Sequence, residues 1–339
     1  MHFYEGTGFR YLTPQEQQAY RVMLKAFSQM ATSFDSTQIH PSIDLMKVLN
    51  AVLGDNPTVI YFDGTKLEVE NSFFGKKIFL TGVHPKPQAE QMGVTLDLTA
   101  NRIASIVKSR SNDEYSLLLN LYEAIQNNIR YDKDEIQANS RGVSKNSASH
   151  NAYGALVNRL AVCDGFSSAF TLLAQKLGFE CMLVVGRSAY ATTLQDHAWN
   201  IIKIGGKYYH MDATWDARKY ADFNEYSYAY FAVSDQEISS DHNWNSSATP
   251  VCSNNDFNYY LKNGLYASNT EHLNKIIKAL GSQNTNVIRL KLSRNIKLPN
   301  NAGEYLMQIT TNEVIKPGER KQVGYSWSDR TRCFFAKIM

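Results

Sequence analysis

The sequence predicts an α+β protein, because helical and strand-like patterns alternate along its 339 residues. Apolar residues at helical spacing mark residues 13–30 and 115–129, whereas the β-rich runs HAWNIIKI and KYYHMDATWD flank the pair Gly205-Gly206. Two glycines between two such runs are a strong signal of a β-hairpin. We therefore expect helices packed against an antiparallel sheet in the middle of the chain.

The sequence pattern of residues 1–107 predicts an N-terminal α+β domain. Thr13 and Glu16 have the spacing of a capping box ahead of an amphipathic helix, and a second short helix follows it. From residue 66 to residue 99 the alternation in KLEVE and VTLDL and the run KKIFL, separated by glycines, predict strands. This segment is therefore expected to have its own mixed core.

The remainder of the chain predicts two further units, a core over residues 108–250 and a β-rich unit over 251–339. Within the core we expect an exposed Ser/Asn-rich loop at 137–151, a helix at 163–177 and the apolar strand CMLVV. The last unit rests on three apolar or alternating runs, VIRLKL, GEYLMQI and CFFAKI.

Composition excludes several classes of function. Lys plus Arg number 35 and Asp plus Glu 32, a formal net charge of +3, and no basic strip interleaved with aromatics occurs, so nucleic acid is not an expected partner. No apolar run reaches the length of a membrane span. The N-terminus also lacks the apolar stretch of a signal peptide, which leaves open a cytoplasmic protein or one whose leader was trimmed.

Four widely separated cysteines make a disulfide scaffold or a structural zinc site an unfavoured interpretation. Cys181 falls in the apolar strand CMLVV and is expected to be part of the core. Cys252 and Cys333 are then the pair left to form a disulfide in an exported protein.

Cys163 stands out among the cysteines, because it lies at the predicted start of a helix. Unpaired N–H groups and the helix dipole favour an anion there and lower the pKa of a thiol. Gly165 would remove a side chain from the first turn and let a substrate approach the sulfur. The competing interpretation is a small buried side chain, the usual environment of a free cysteine.

The hairpin predicts a partnership between His197 and Asp212. If Gly205 and Gly206 form the loop, paired residues sum to 411, so Trp199 lies opposite Asp212 and His197 is its diagonal neighbour. A thiol needs a base, and the base needs a carboxylate to orient it. Taken singly, His197 and Asp212 would be ordinary strand residues; together with Cys163 they predict a catalytic triad.

Other polar residues near these positions have simpler interpretations. Asp164 and Asp196 adjoin triad members and are expected to point to the opposite face. His210 is expected to pack within its strand, and the pair Asp241-His242 to bond to the backbone of a loop, although it could also brace the site.

The boxes AVCDGFSSAF, DHAWNIIKIGGKYYHMD and DATWD resemble the catalytic core of the transglutaminase-like superfamily in its bacterial form. YGALV and YFAVSDQEISSDHNW resemble the flanks of that core, so the similarity covers roughly residues 110–245. The resemblance implies a papain-like fold in which a helix bearing the nucleophile packs on an antiparallel sheet. It also implies a triad of Cys163, His197 and Asp212.

The resemblance further implies thiol acyl transfer from a protein or peptide glutaminyl amide to an amine or water. The oxyanion would be held by the Cys163 backbone N–H and a second donor, for which Tyr153 and Asn151 are candidates. Trp199 and Trp215 would wall the cleft or pack beneath it. The sequence has no calcium-binding acidic pattern of the EF-hand type, so we expect no metal and no cofactor.

Two alternatives remain open. One is a cysteine peptidase with the same triad, and the other is a cell-surface binding protein with little catalysis on the same fold. Because bacterial members of this type are commonly exported, the resemblance favours an extracellular or cell-surface location, with a cytoplasmic one still open. Homodimer formation is also left open.

Overall fold

Three clusters of buried hydrophobic side chains organise the computed structural model. The structure describes residues 3–72, 75–139, 146–190, 193–217, 223–283, 285–316 and 318–339. One cluster lies within residues 9–89, the largest spans residues 60–260 and includes Cys333, and the third lies within residues 267–338. The largest cluster includes side chains close in sequence to the predicted triad, such as Phe166, Trp199 and Met211.

The N-terminal cluster is formed by three helices and a three-stranded sheet of order β1-β3-β2. These elements are α1 (Thr7–Arg10), α2 (Pro14–Ser28), β1 (Ser33–Asp35), α3 (Leu45–Asp55), β2 (Phe62–Ser72) and β3 (Gly75–Gly82). The predicted capping box is present, because the side chains of Thr13 and Glu16 each accept the other's backbone N–H. The buried carboxylate of Asp55 accepts the N–H groups of Gly8 and Phe9 and so ties α1 to the end of α3.

Two long helices, α4 (Lys86–Ser109) and α5 (Glu114–Asn128), lead into the largest cluster. The strand predicted at VTLDL is wrong, because these residues lie in α4. Leu96, Ala100, Ala104 and Val107 are buried at helical spacing, whereas Leu98 is exposed, so the local alternation of VTLDL is part of a longer helical period. No helix within the described residues is long and apolar enough to cross a membrane.

A five-stranded antiparallel sheet of order β10-β6-β7-β8-β9 forms the centre, which confirms the predicted α+β class. Its strands are β6 (Cys181–Tyr190), β7 (Thr193–Ile204), β8 (Lys207–Met211), β9 (Phe231–Val233) and β10 (His242–Asn243). The short helices beside it are α8 (Ala213–Ala217), α9 (Asp235–Ile238) and α10 (Tyr259–Lys262).

The predicted hairpin register is correct from the turn to the pair Asn200 and Met211. Gly205 and Gly206 have φ of 58° and 76°, values that glycine adopts without strain and that this tight turn requires. β8 ends at Met211, so the predicted pairing of Trp199 with Asp212, which would make His197 the diagonal neighbour of Asp212, is wrong.

Asp212 ends β8 because its side chain starts a helix instead of continuing the strand. Its Oδ1 accepts the Trp215 N–H at 3.0 Å, the bond of a helix N-cap, and α8 begins at the next residue. The end of β8 and the cap of α8 together therefore place the Asp212 carboxylate at the open end of the hairpin, away from its glycine turn.

Helix α7 (Cys163–Lys176) packs against β6 and β7 and buries Phe166, Phe170 and Leu173, which recur at helical spacing. Asn200 of β7 is buried, and its amide donates to the Ser167 carbonyl at 3.1 Å and to the Thr171 hydroxyl at 3.0 Å. The helix and the strand are thus joined by polar bonds within an apolar layer.

The described parts of the segment before α7 are helical, whereas the sequence predicts an exposed loop over residues 137–151. Helix α6 (Lys133–Asn139) and a 3₁₀ helix at Ser147–His150 occupy its two ends, and residues 140–145 lie outside the described part. The short strands β4 (Arg130–Tyr131) and β5 (Leu160–Ala161) pair in parallel beside them. Ser149 is fully buried, which the Ser/Asn-rich composition does not indicate.

The C-terminal unit has a four-stranded sheet of order β11-β12-β14-β13 and two helices. Its elements are β11 (Tyr266–Ala267), α11 (Thr270–Ser282), β12 (Val287–Leu292), α12 (Ala302–Val314), β13 (Val323–Ser328) and β14 (Cys333–Ile338). The strand predicted at GEYLMQI is wrong, since these residues lie in α12. There Leu306, Thr310 and Val314 are buried at a spacing of four.

Candidate active site

Cys163 is the first residue of α7 and is partly exposed. The backbone N–H of Ala198, on β7, donates to its sulfur, so the thiol lies beside the strand that carries His197. The thiol itself donates to Oδ1 of Asp164 at 3.0 Å. The start of α7 and the strand β7 therefore meet at this sulfur. The position of Cys163 at the start of a helix is the one that the sequence predicts.

The protonation of this thiol differs from the sequence expectation. Burial, followed by the adjacent Asp164 charge and the hydrogen bond to it, raises the pKa of Cys163 well above its usual value. The expectation of a lowered pKa is wrong for this state, because a carboxylate in the first turn counteracts the helix N-terminus.

His197 and Asp212 are in direct contact in a buried position, where β8 ends beside the central strand β7. His197 Nε2 lies 2.9 Å from Oδ2 of Asp212, and both side chains are at least 95% inaccessible to solvent. Burial alone would raise the pKa of Asp212, but the charges and hydrogen bonds of His197 and His242 hold it well below the usual range. Because Nε2 of His197 bonds to Asp212, Nδ1 is the ring nitrogen left to exchange a proton with another group.

His242 is a second histidine on the same carboxylate, and the loop interpretation of Asp241-His242 is wrong. Its Nε2 lies 3.1 Å from Asp212 Oδ2, and its Nδ1 lies 2.6 Å from Oδ1 of Asp241. Asp241 in turn accepts the Tyr230 hydroxyl at 2.7 Å. Burial lowers the pKa of His242, but the two carboxylates outweigh burial and raise it to about 9.

Replacing His242 with glutamine is expected to weaken the pH dependence of stability. The native state holds a proton on His242 that the unfolded chain loses near pH 6.5, so its contribution is complete below that pH and disappears as pH rises through about 9. The contribution amounts to about 3 kcal/mol. Urea unfolding at pH 6 and pH 9 measures the difference.

His272→Gln, on the surface helix α11, is the matched control and should keep the wild-type difference between the two pH values. An unchanged difference in His242→Gln would contradict a protonated His242 in the folded protein.

The two tryptophans occupy different places. Trp199 is buried and stacks on His197 at 5.8 Å between ring centroids, so it packs beneath the site. Its indole N–H donates to Nδ1 of His210, whose Nε2 lies 2.8 Å from Asp235. Trp215 is half-buried, and its ring centroid lies 5.6 Å from that of His197.

Asn151 and Tyr153 lie in the turn beside the first turn of α7. Oδ1 of Asn151 accepts the N–H groups of Tyr153 and Gly154, which fixes the turn and gives the amide oxygen a structural partner. A Cβ on Gly165 would lie 2.4 Å from the carbonyl oxygen of Ser149. Gly165 therefore admits the protein's own backbone, and the expectation that it admits substrate is wrong.

Two groups of side chains within the described residues bring three metal-type donor atoms within 4.8 Å of one another, His197 with Asp212 and His242, and His210 with Asp235 and Cys252. Hydrogen bonds join each carboxylate to the histidines beside it. All four cysteines are free, so Cys252 and Cys333 are both unpaired thiols in the core.

The segment that contains the site matches a known protein family. The transglutaminase-like superfamily profile matches residues 101–213, which contain Cys163, His197 and Asp212. Kyphoscoliosis peptidase of Mus musculus is 25% identical over 138 residues, which are 38% of this chain and 20% of that protein. The match thus spans about one fifth of the relative's length.

Two solved structures also align with part of this chain. A TGase crystal structure aligns with a TM-score of 0.32 and 13% identity over 44% of this chain and 44% of its own. A candidate cysteine protease from Cytophaga hutchinsonii aligns with a TM-score of 0.27 and 15% identity over 44% of this chain and 61% of its own.

Proposed function

We propose that this chain is a thiol acyltransferase acting on glutaminyl side-chain amides, because the transglutaminase-like superfamily profile matches residues 101–213, which contain the three predicted triad residues. Members of the superfamily are cysteine-dependent enzymes. The observation that carries the proposal is the 2.9 Å contact between His197 and Asp212, next to a cysteine at the start of α7.

The reaction divides into attack and transfer. Cys163 forms a bond to the amide carbon, its proton passes to His197, and His197 delivers that proton to the departing ammonia as the C–N bond breaks. An amine or water then attacks the thioester and releases the thiol. Asp212 holds the imidazole and stabilises its protonated form.

Charge on the carbonyl oxygen also needs a donor during attack. The backbone N–H of Cys163 belongs to the free N–H groups of the first turn of α7, so it is suited to that oxygen. Asn151 and Tyr153 remain the proposed sources of a second donor, from the turn that packs against Gly165.

Peptide-bond cleavage is the second candidate, favoured by the similarity of this chain to a kyphoscoliosis peptidase. The same thiol would attack a backbone carbonyl, and the leaving group would be the amine end of a peptide instead of ammonia.

Incubation with a fluorescent primary amine and a glutamine peptide tests the two candidates. Transfer predicts amine incorporation and ammonia release from the glutamine peptide, and none from the same peptide with asparagine. Ammonia without incorporation would identify water as the acceptor, which is also acyl transfer. Backbone cleavage without ammonia would overturn the proposal in favour of the peptidase, and the absence of any product would count against both.

A further inference from the structure

Cys163 lies between two histidine–carboxylate pairs, of which the proposed mechanism uses one. The second pair begins at Asp164, whose Oδ1 accepts the thiol at 3.0 Å and whose Oδ2 lies 2.7 Å from Nδ1 of His150. Nε2 of His150 lies 3.2 Å from Oε1 of Glu135. The expectation that Asp164 points away from the site is wrong, because residue 164 lies in a helical first turn and not in a strand.

This second pair carries separated charges at neutral pH. Burial lowers the pKa of His150, but the hydrogen bonds and charges of Asp164 and Glu135 outweigh burial and raise it to about 9. Burial raises the pKa of Asp164, and His150 with the thiol more than compensates and lowers it. The charged His150 imidazolium therefore stabilises the negative charge of Asp164, which faces the S–H group of Cys163.

The segment that carries His150 is held firmly against α7. The Ser149 hydroxyl donates to Oδ2 of Asp132 at 2.6 Å, and the Asn146 N–H donates to Glu135 at 2.7 Å. The Ser149 carbonyl accepts the Val162 N–H at 2.9 Å, at the residue before the thiol. His150 is thus placed by the fold and not by a mobile surface contact.

The thiol makes its hydrogen bond to Asp164 and not to His197 within the described residues. Among the other groups that act on the sulfur, the Ala198 N–H favours the thiolate and the Asp212 charge opposes it. Transfer of the proton to His197 requires that the bond to Asp164 be broken.

We propose that Asp164, supported by His150, restrains Cys163 in a protonated resting state, and that the thiol is released to His197 when substrate displaces this hydrogen bond. The inference rests on Cys163 as the nucleophile of the proposed function. His150 acts as a positioning residue, because it reaches the sulfur only through Asp164.

The rate of Cys163 alkylation by iodoacetamide, followed from pH 5 to pH 10 by mass spectrometry, tests the restraint. Asp164→Asn removes the charge, so the midpoint of the profile should move to lower pH and alkylation at pH 7 should become faster. Each pKa unit gives tenfold more thiolate, partly offset by its lower nucleophilicity, which leaves about a threefold gain per unit.

His150→Gln should have the opposite effect, because Asp164 keeps its charge and loses its cation. Alkylation at pH 7 should then be slower than in the wild type. A merely structural role would change both variants in the same direction. Asp196→Asn is the matched control, since Asp196 adjoins His197 but is 90% exposed and pairs with Arg187, and it should keep the wild-type profile.

An unchanged or slower Asp164→Asn would overturn the restraint, and so would His150→Gln that alkylates faster than the wild type. Thermal melting of each variant identifies loss of folding. Alkylation needs no acyl substrate, so failed amine transfer with shifted profiles would count against the proposed function alone. Successful transfer with unshifted profiles would count against the restraint alone.

Discussion

Replacing Cys163 with alanine is expected to reduce amine incorporation by at least about 10³-fold, because no other group at the site replaces the sulfur as nucleophile. The free energy of unfolding should change by about 1 kcal/mol or less, since the thiol is partly exposed and makes its hydrogen bond to a partly exposed carboxylate. Parallel measurement of product formation and urea unfolding checks both halves of the expectation.

Cys333→Ala provides the matched control. Cys333 is fully buried at the start of β14, so its truncation leaves a small cavity, lowers stability and keeps activity. Substantial transfer by Cys163→Ala would show that another residue is the nucleophile.

Replacing Asp212 with asparagine should reduce activity by about 10⁴-fold, the loss that the same exchange produces in a serine-protease triad. Asparagine presents an N–H₂ group either where His197 and His242 both require an acceptor or, with the amide reversed, where the Trp215 N–H requires one. Loss of the buried carboxylate shared by the two histidines should also lower the free energy of unfolding by about 3 kcal/mol.

Stability in acid supplies an independent measurement on Asp212. Its pKa is lowered in the folded state, so its contribution is complete above about pH 4 and is lost as pH falls further. Urea unfolding between pH 3 and pH 7 should therefore depend less on pH in Asp212→Asn than in the wild type.

Asp216→Asn separates catalysis from stability. Asp216 is buried in α8, the short helix that Asp212 caps, and it accepts hydrogen bonds from the hydroxyls of Tyr122 and Ser227. The Asp216→Asn substitution should therefore lower the free energy of unfolding, while the folded molecules keep most of their activity. Equal activity losses in the two variants would contradict the specific role of Asp212.

The sequence carries the parts of this site that depend on regular structure. The Gly205-Gly206 turn defines a register that holds as far as Asn200, and apolar spacing places Cys163 at a helix start. The sequence predicts a contact between His197 and Asp212 as diagonal neighbours on one sheet face. It arises instead because Asp212 leaves the strand and caps α8, a choice between two local structures that periodicity does not resolve.

Regular sequence patterns do not predict the positions of the two further histidines at the site. His150 and His242 approach the site from short segments whose paths depend on side-chain bonds to Asp132, Glu135 and Asp241. Periodic patterns describe helices and strands, and such segments have none. Asp164, a carboxylate in the first turn after the nucleophile, is the sequence signal for the group beside the thiol, because helical and not strand geometry directs it there.

The amide of Asn200 has a consequence for how the site opens. Separating α7 from β7 would leave that amide without its acceptors on Ser167 and Thr171 in the middle of an apolar layer. Local fluctuations that divide the thiol from the imidazole are therefore costly, and helix and strand belong to one cooperative unit of unfolding. Exchange of their backbone amides with deuterium should proceed with a common protection, and the site should persist intact until that unit opens.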